Sequence, residues 1–403
     1  MKKIKGIVAI VLSVLMVLSL SACHPKDEVA IKVGDKKSKT EVTLTTAQYL
    51  YALTSATVEA QSLIKEANPK KEIKDYSKYK VVETDENDKK VKTEYYKWIK
   101  ENADEQIRRY AGAMIKQKDL KLELDEATAG SVNYYAQMYW MYYYQPTFEK
   151  NGVAMETYEK MFTASYYENE YFLSIYDKDG TKAIPEKEVE KTFKDNYVLG
   201  NAISIQVVEE AKEGEEKAEG LTMKEAEKLL KDYKARMAKG DSFKKIYEEY
   251  AKKYLTSEDQ ESQPTAEDAA TVYGSDETSY ASEYFEDVNK MKKGEVKIFT
   301  SEDKSEIVLV EKQDINADKE TYFDNYRTDV LRMLKGDEFE ADFNKYCEGL
   351  KVEMVESATN RVKLEKIDVS TETPEVEATG TEATEEETEE DHEGHDHEGH
   401  NHE

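Results

Sequence analysis

The sequence predicts a helix-rich α+β protein, and three observations carry that prediction. Only 17 Gly and 6 Pro are spread over 403 residues, too few to turn the chain at every strand of an all-β sandwich or a doubly wound sheet. Apolar residues recur at helical spacing in one segment after another. Between those segments stand only a few short strand-like runs. The length supports two or three domains. With 86 acidic against 58 basic residues and a formal charge of -28, the chain lacks the basic surface that nucleic-acid binding needs. Two cysteines, Cys23 and Cys347, exclude a disulfide scaffold and a Cys-based zinc module.

At the N-terminus, Lys2, Lys3 and Lys5 precede a charge-free stretch of 14 residues, Ile7 to Leu20. That is too short for a membrane span and has the layout of a secretory signal. It ends in Leu20-Ser21-Ala22-Cys23, which resembles the bacterial lipobox. The resemblance implies a lipoprotein signal peptide over 1–22 and acylation of Cys23, which places the protein outside the cytoplasm, lipid-anchored to the bacterial cell membrane. An ordinary signal peptide with a chance cysteine is the alternative. Loss of the signal discards three lysines, leaving 55 basic against 86 acidic residues, or -31. Lipid, not charge, must then hold the protein at an anionic surface.

Val29 to Val33, followed by Gly34-Asp35, reads as a strand running into a turn. A helix follows from about Thr45, with Ala47, Leu50, Tyr51 and Thr54 on one face. The segment Ile64 to Lys92 is dense in charge and reads as a loop or exposed excursion, and helical pattern resumes near Tyr95. Residues 131–172 concentrate aromatics around a helix, not along one stripe, among them Tyr135, Tyr139, Trp140 and Tyr143. Tyrosine suits half-exposed positions, because its ring is apolar and its hydroxyl stays hydrated. Two readings stand side by side: an adhesive surface for unfolded polypeptide, with those four residues as peptide-binding candidates, and a helical domain packed with Tyr in place of Leu.

Asp177-Lys178-Asp179-Gly180 lacks the spacing of a calcium loop and reads as a turn. Ile184-Pro185-Glu186 starts a helix continued by Val189, Phe193 and Tyr197. A strand follows over Ala202 to Val208. Thr222-Met223-Lys224-Glu225 forms a capping box that opens a helix with Ala226, Leu229, Leu230, Tyr233 and Met237 on its apolar face. Gly240 stops it, and Asp241 or Ser242 caps a second helix that buries Phe243, Ile246, Tyr247 and Tyr250. A polar loop covers about 255–280. Lys292-Lys293-Gly294-Glu295 leads into strands at 296–299 and 307–310. A late helix carries Tyr322, Phe323, Tyr326, Val330 and Leu334 on one face. Cys347, at helical spacing among aromatics, reads as a small buried hydrophobe in preference to a nucleophile.

The order strand, helix, Gly240-Asp241-Ser242-Phe243, helix, long loop, Lys-Lys-Gly-Glu-Val, strand, strand resembles the parvulin prolyl-isomerase domain. With its flanks, the pattern over most of residues 28–355 resembles the PrsA and SurA type extracytoplasmic foldases. The resemblance implies a split helical chaperone module, like the SurA N-terminal one, around a parvulin-like α/β domain. The segments are then 23–196 for the helical module, 197–314 for the parvulin-like domain and 315–370 for a helix and strand that return to the module. A return of this kind predicts contacts between the helix near 45–64 and the one near 320–347.

Family members usually carry a hydrogen-bonded histidine pair beneath the substrate. Here Ala202 or Ser204 stands where the first is expected and Ser305-Glu306-Ile307 where the second is, and no histidine lies between His24 and His392. Val272-Tyr273-Gly274-Ser275 matches the family's Gly-rich segment only loosely. A fold can outlast its chemistry, so whether the chain is an isomerase stays open and no catalytic residue is assigned. The function implied is a foldase-like chaperone for unfolded or newly secreted polypeptides, requiring no cofactor. An active isomerase is the alternative on the same scaffold.

Residues 371–403 hold 14 Asp or Glu and no Lys or Arg, a composition that cannot form a core and predicts a disordered acidic tail. His392, His395, His397, His400 and His402 are interleaved there with carboxylates, a donor set for Zn, Ni or Cu. A metal-binding lipoprotein is therefore a third reading, and a solvated acidic bristle is the plainer fate of such a tail. No P-loop, dinucleotide fingerprint, GxSxG or HExxH occurs. Oligomeric state is not legible.

Overall fold

A computed structural model describes residues 27–84, 89–209, 220–255, 265–276, 279, 281–317 and 319–370. Cys23, the signal segment and all five tail histidines lie outside the described residues.

Near the N-terminus, β1 (Val29–Gly34) and β2 (Glu41–Thr45) pair antiparallel. Thr45 ends the second strand and caps α1 (Thr46–Glu66) through a capping box with Gln48, the arrangement that satisfies two orphan helix donors at once. The charged segment expected as a loop carries structure instead: β3 (Lys80–Thr84) and β4 (Lys90–Glu94) form a hairpin. It is charged because only Val81 turns into the core, and the remaining strand positions are wholly or partly exposed. Then α2 (Tyr95–Leu120) lays Trp98, Ile99, Ala103, Ile107, Ala111 and Ile115 against α1 and β1.

The tyrosine-rich stretch is not one helix. It comprises α3 (Glu126–Tyr139), a π turn (Trp140–Tyr144), α4 (Gln145–Lys150), a reversal at Asn151-Gly152 and the long α5 (Met155–Tyr176). Next come α6 (Glu186–Asn196), with Pro185 just outside its first turn, and β5 (Tyr197–Val208), which begins five residues before the apolar run that announced it.

Strand β5 organises a mixed sheet in the order β6-β5-β9-β8, with β7 also paired to β5. Here β6 is Leu221–Thr222, β7 Ala270–Gly274, β8 Val296–Thr300 and β9 Glu306–Lys312. The predicted polar loop thus contains a strand, and the loosely Gly-rich Val272-Tyr273-Gly274 lies in it, paired with Tyr197 to Leu199. Side chains alternate across the sheet with the period of two that strands impose. Ile203, Ile205, Ile307 and Leu309 face α7 (Met223–Met237) and α8 (Phe243–Tyr254). Val198, Val308 and Val310 face Tyr284 and α9 (Phe285–Asn289). The Thr222–Glu225 capping box is present, and Ser242, not Asp241, caps α8.

The late helix is broken at Tyr326 into α10 (Lys319–Asn325) and α11 (Arg327–Glu348). Arg327, buried, bonds Asp177 (2.6 Å) and Glu186 (3.0 Å), fixing this break against the entrance to α6. The expected packing on the helix near 45–64 gives way to another partner. Helix α11 packs mainly on α2, with α6 and α5 beside it, because α1 is already covered by α2, β1, β3 and α5. Phe339, Phe343 and Cys347 bury there with Ala113 and Phe172, and Arg109 joins the three helices through Glu168, Glu340 (2.9 Å) and Asn344 (3.0 Å). The chain then reaches its beginning through β10 (Lys351–Met354), which pairs antiparallel with β1 from Ile31↔Met354 to Gly34↔Lys351. A last short helix, α12 (Glu356–Thr359), lies against β1 and α1.

Candidate functional site

Two features of this framework present chemistry to solvent, an aromatic arm and a cleft on the mixed sheet. The arm is the antiparallel pair formed by α3 to α4 and the first half of α5. Asp125 caps α3 by accepting from the Thr128 amide at 2.8 Å. Past Tyr139 the turn widens, and the Gln145 amide reaches back five residues to the Trp140 carbonyl. Pro146 is the physical reason: it has no N–H to give, and its ring crowds the carbonyl four residues back, so the ladder loosens just before it. Gly152, at φ +80, supplies the left-handed residue on which the chain reverses.

A small core holds the arm together: Ala136, Trp140, Phe148, Val153 and Tyr158, seated on Leu50 and Tyr51 of α1. Trp140 is 6% exposed, so of the four predicted peptide-binding residues it is the one that is not on the surface. Its indole is the largest side chain available to a core this small, and the arm consumes it. Tyr135, Tyr139 and Tyr143 are exposed, the last at 68%. Tyr134, Met141, Tyr142 and Tyr144 join them. The rings touch in succession, Tyr134–Tyr135, Tyr135–Tyr139 and Tyr139–Tyr143, with centroids 5.4 to 6.2 Å apart. The widened turn sends Tyr142 and Tyr143 to solvent while Tyr144 leans on Phe148 and Tyr158. Part of the aromatic set takes the place of Leu in a core, and part lies on the surface. Between Tyr143, Tyr144 and the Val58 to Lys65 face of α1 runs a groove of about 440 Å³. Its rim includes Val369, next to Asp368, which is tied to Lys150 (2.6 Å) and to Asn151.

On the mixed sheet, Ala202 and Ser204 sit opposite Val310 and Val308 and line a cavity of about 190 Å³ with Tyr247, Tyr250, Tyr273, Tyr284, Asp268 and Glu306. The two positions flagged for a missing histidine pair do meet. The Ser204 hydroxyl donates to Glu306, and Gln206 (2.9 Å) and the Tyr284 hydroxyl (3.1 Å) donate to the same carboxylate. The Tyr250 hydroxyl donates to the Ser204 carbonyl at 3.0 Å. Burial pushes the Tyr250 hydroxyl up to about 12. Burial, then the Glu306 carboxylate beside it, raises Tyr284 as well. These phenols therefore stay protonated donors at neutral pH. Among the described residues that line the cavity there is no histidine. Asp268 and Tyr284 were not singled out in the sequence: Asp268 lies on a short turn, Ala266–Ala269, inside the stretch that reads as polar loop, and Tyr284 on the turn that follows it, while Tyr273 was noted only as part of the loosely Gly-rich Val272-Tyr273-Gly274-Ser275.

Among the described residues no group of three or more His, Cys, Asp or Glu is placed to hold a metal, and no helix is long and apolar enough to cross a membrane. Cys347 is buried, and burial pushes its thiol up to about 12, the condition of a packing residue and not of a nucleophile.

No protein-family model and no curated protein sequence matches the chain. Among solved structures it is similar to the foldase protein PrsA from Streptococcus pneumoniae, at 13% identity and a TM-score of 0.36, over 70% of this chain and 94% of that one. It is also similar to PrsA from Bacillus subtilis, at 12% identity and a TM-score of 0.32, over 71% and 93%.

Proposed function

We propose that the protein is an extracytoplasmic chaperone of the PrsA-like foldase kind, anchored through Cys23, that holds unfolded or newly secreted polypeptides on the exposed tyrosines of the α3–α5 arm. The observation that carries this reading is the arm itself. Seven large side chains between Tyr134 and Tyr144 are solvent-exposed on an element that keeps its own core. A contiguous apolar surface of this kind marks an interaction site. Each ring covered by a client returns about 25 cal/mol per Å² of apolar surface removed from water. Tyrosine adds a hydroxyl that bonds an extended backbone without demanding a sequence, which suits a binder of many chains. The acidic exterior is consistent with keeping loaded complexes in solution.

Prolyl-limited refolding of a model protein, with the chain from residue 24 added in increasing amounts, tests the reading. The expected result is a higher final yield at stoichiometric amounts with the slow phase unchanged, and loss of that gain in Tyr142→Ser/Tyr143→Ser. Faster refolding at catalytic amounts would move the function to the cleft on the mixed sheet. No effect on yield or rate would remove the chaperone reading.

A further inference from the structure

The cavity beneath Tyr284 is unlike the arm in size, charge and walls. At about 190 Å³ it falls below the roughly 300 to 1,000 Å³ of sites that enclose a whole small molecule, and it suits a single long side chain. Its charged lining residues are Glu306 and Asp268, both acidic. No Lys or Arg lines it among the described residues. Tyr247, Tyr250, Tyr273 and Tyr284 supply aromatic surface around those carboxylates, and the negative faces of such rings attract cations.

Glu306 is also aimed. Ser204 and Gln206 of β5 and Tyr284 of the turn before α9 all donate to it. A carboxylate offers about four lone-pair sites, so three donors fix its orientation and leave room for an incoming N–H. We propose that this cavity takes the side chain of a lysine or arginine in a bound polypeptide, with Glu306 as its counter-ion and the tyrosine rings as its walls. A prolyl ring in the same place would cover the Glu306 carboxylate with hydrocarbon and bring its charge no counter-ion, which costs free energy. A cation removes that cost with a charge-assisted hydrogen bond. The inference rests on the reading that unfolded polypeptides are the clients, yet it uses a surface separate from the arm and selects among clients by charge.

The test compares two fluorescent octapeptides that differ only in Lys against norleucine, titrated into the chain from residue 24. A charge-assisted hydrogen bond worth about 1.5 to 3 kcal/mol corresponds to at least tenfold tighter binding of the Lys peptide. Glu306→Gln is expected to abolish that preference, while Asp287→Asn, an exposed acid on α9, leaves it in place. Tyr284→Phe, which keeps the ring and removes one donor to Glu306, guards against a folding defect in Glu306→Gln and is expected to halve the preference or more. Equal binding of the two peptides, or equal weakening by Glu306→Gln and Asp287→Asn, overturns the proposal and leaves the arm reading standing. Loss of refolding yield with Tyr142→Ser/Tyr143→Ser and retained Lys preference would show that the two sites are separate.

Discussion

At position 112 a side chain would place its Cβ 2.6 Å from the Cys347 sulfur and 3.4 Å from Phe343, so glycine is what lets α2 and α11 approach as closely as they do. Gly112→Ala should therefore destabilise by about 1 to 3 kcal/mol through overpacking, although alanine favours a helix by up to about 1 kcal/mol. Thermal unfolding reads the sign, and a raised Tm would mean that the helices part without strain. Cys347, facing that contact, should ignore an aromatic disulfide reagent in the native chain from residue 24 and react once it unfolds; rapid native labelling would contradict its burial. Asp368 has a depressed carboxyl, at about 2, chiefly because Lys150 bonds it, with Ser370 assisting. A depressed acid stabilises above its unfolded value of about 3.9 and loses that contribution as pH falls through its folded one. The 367–370 segment should thus stay seated on Lys150 at pH 5 and detach between about pH 4 and 2, which NMR of Asn151 can follow. The role of Cys347 was legible from its aromatic neighbours in the sequence. That of Gly112 was not, since Ala111-Gly112-Ala113 is bland until α11 arrives beside it.

For elements, the arm shows how far composition reaches and where it stops. An excess of tyrosine too large for one stripe announced that some rings lie outside the core, and they do. The division of that stretch into a hairpin followed from two local signals, Pro146 and the turn dipeptide Asn151-Gly152, that a continuous aromatic pattern overrode. The same signals explain why Trp140 points inward while Tyr142 and Tyr143 do not. Replacing Trp140 by Ala should cost about 3 to 5 kcal/mol of local stability and open residues 126–154 to protease, while the mixed sheet keeps its resistance. Cleavage spread evenly over the chain would show that the arm is not a separate cooperative unit. The capping box at Thr222 was fully readable because its partners stand three residues apart. The hairpin at 80–94 was not, because a strand with one buried residue carries almost no alternating signal.

On the scale of the whole molecule, the return of the chain was legible and its geometry was not. The resemblance to the foldases implied that the last helix comes back to the first segment. That it docks on α2, with β10 completing the sheet, depends on which faces α1 leaves free. Truncation after Gly349 removes β10 and α12, and should lower the protection of amides in β1 and α1 far more than those in β5 and β9, as hydrogen exchange would report. Uniform loss would mean that the molecule opens as one unit. The pairing of Val33 with Val352 also sets a timetable. A chain emerging from its N-terminus presents β1 early, with β2 beside it on one edge and nothing on the other until almost all of the remaining chain has followed. The inserted sheet around β5 has all its strands by residue 312 and can close first. Contacts so distant along the chain form late and slowly, and an edge strand left waiting is the kind that captures foreign strands. A protein proposed to guard newly secreted chains thus passes through an interval in which it needs such guarding itself.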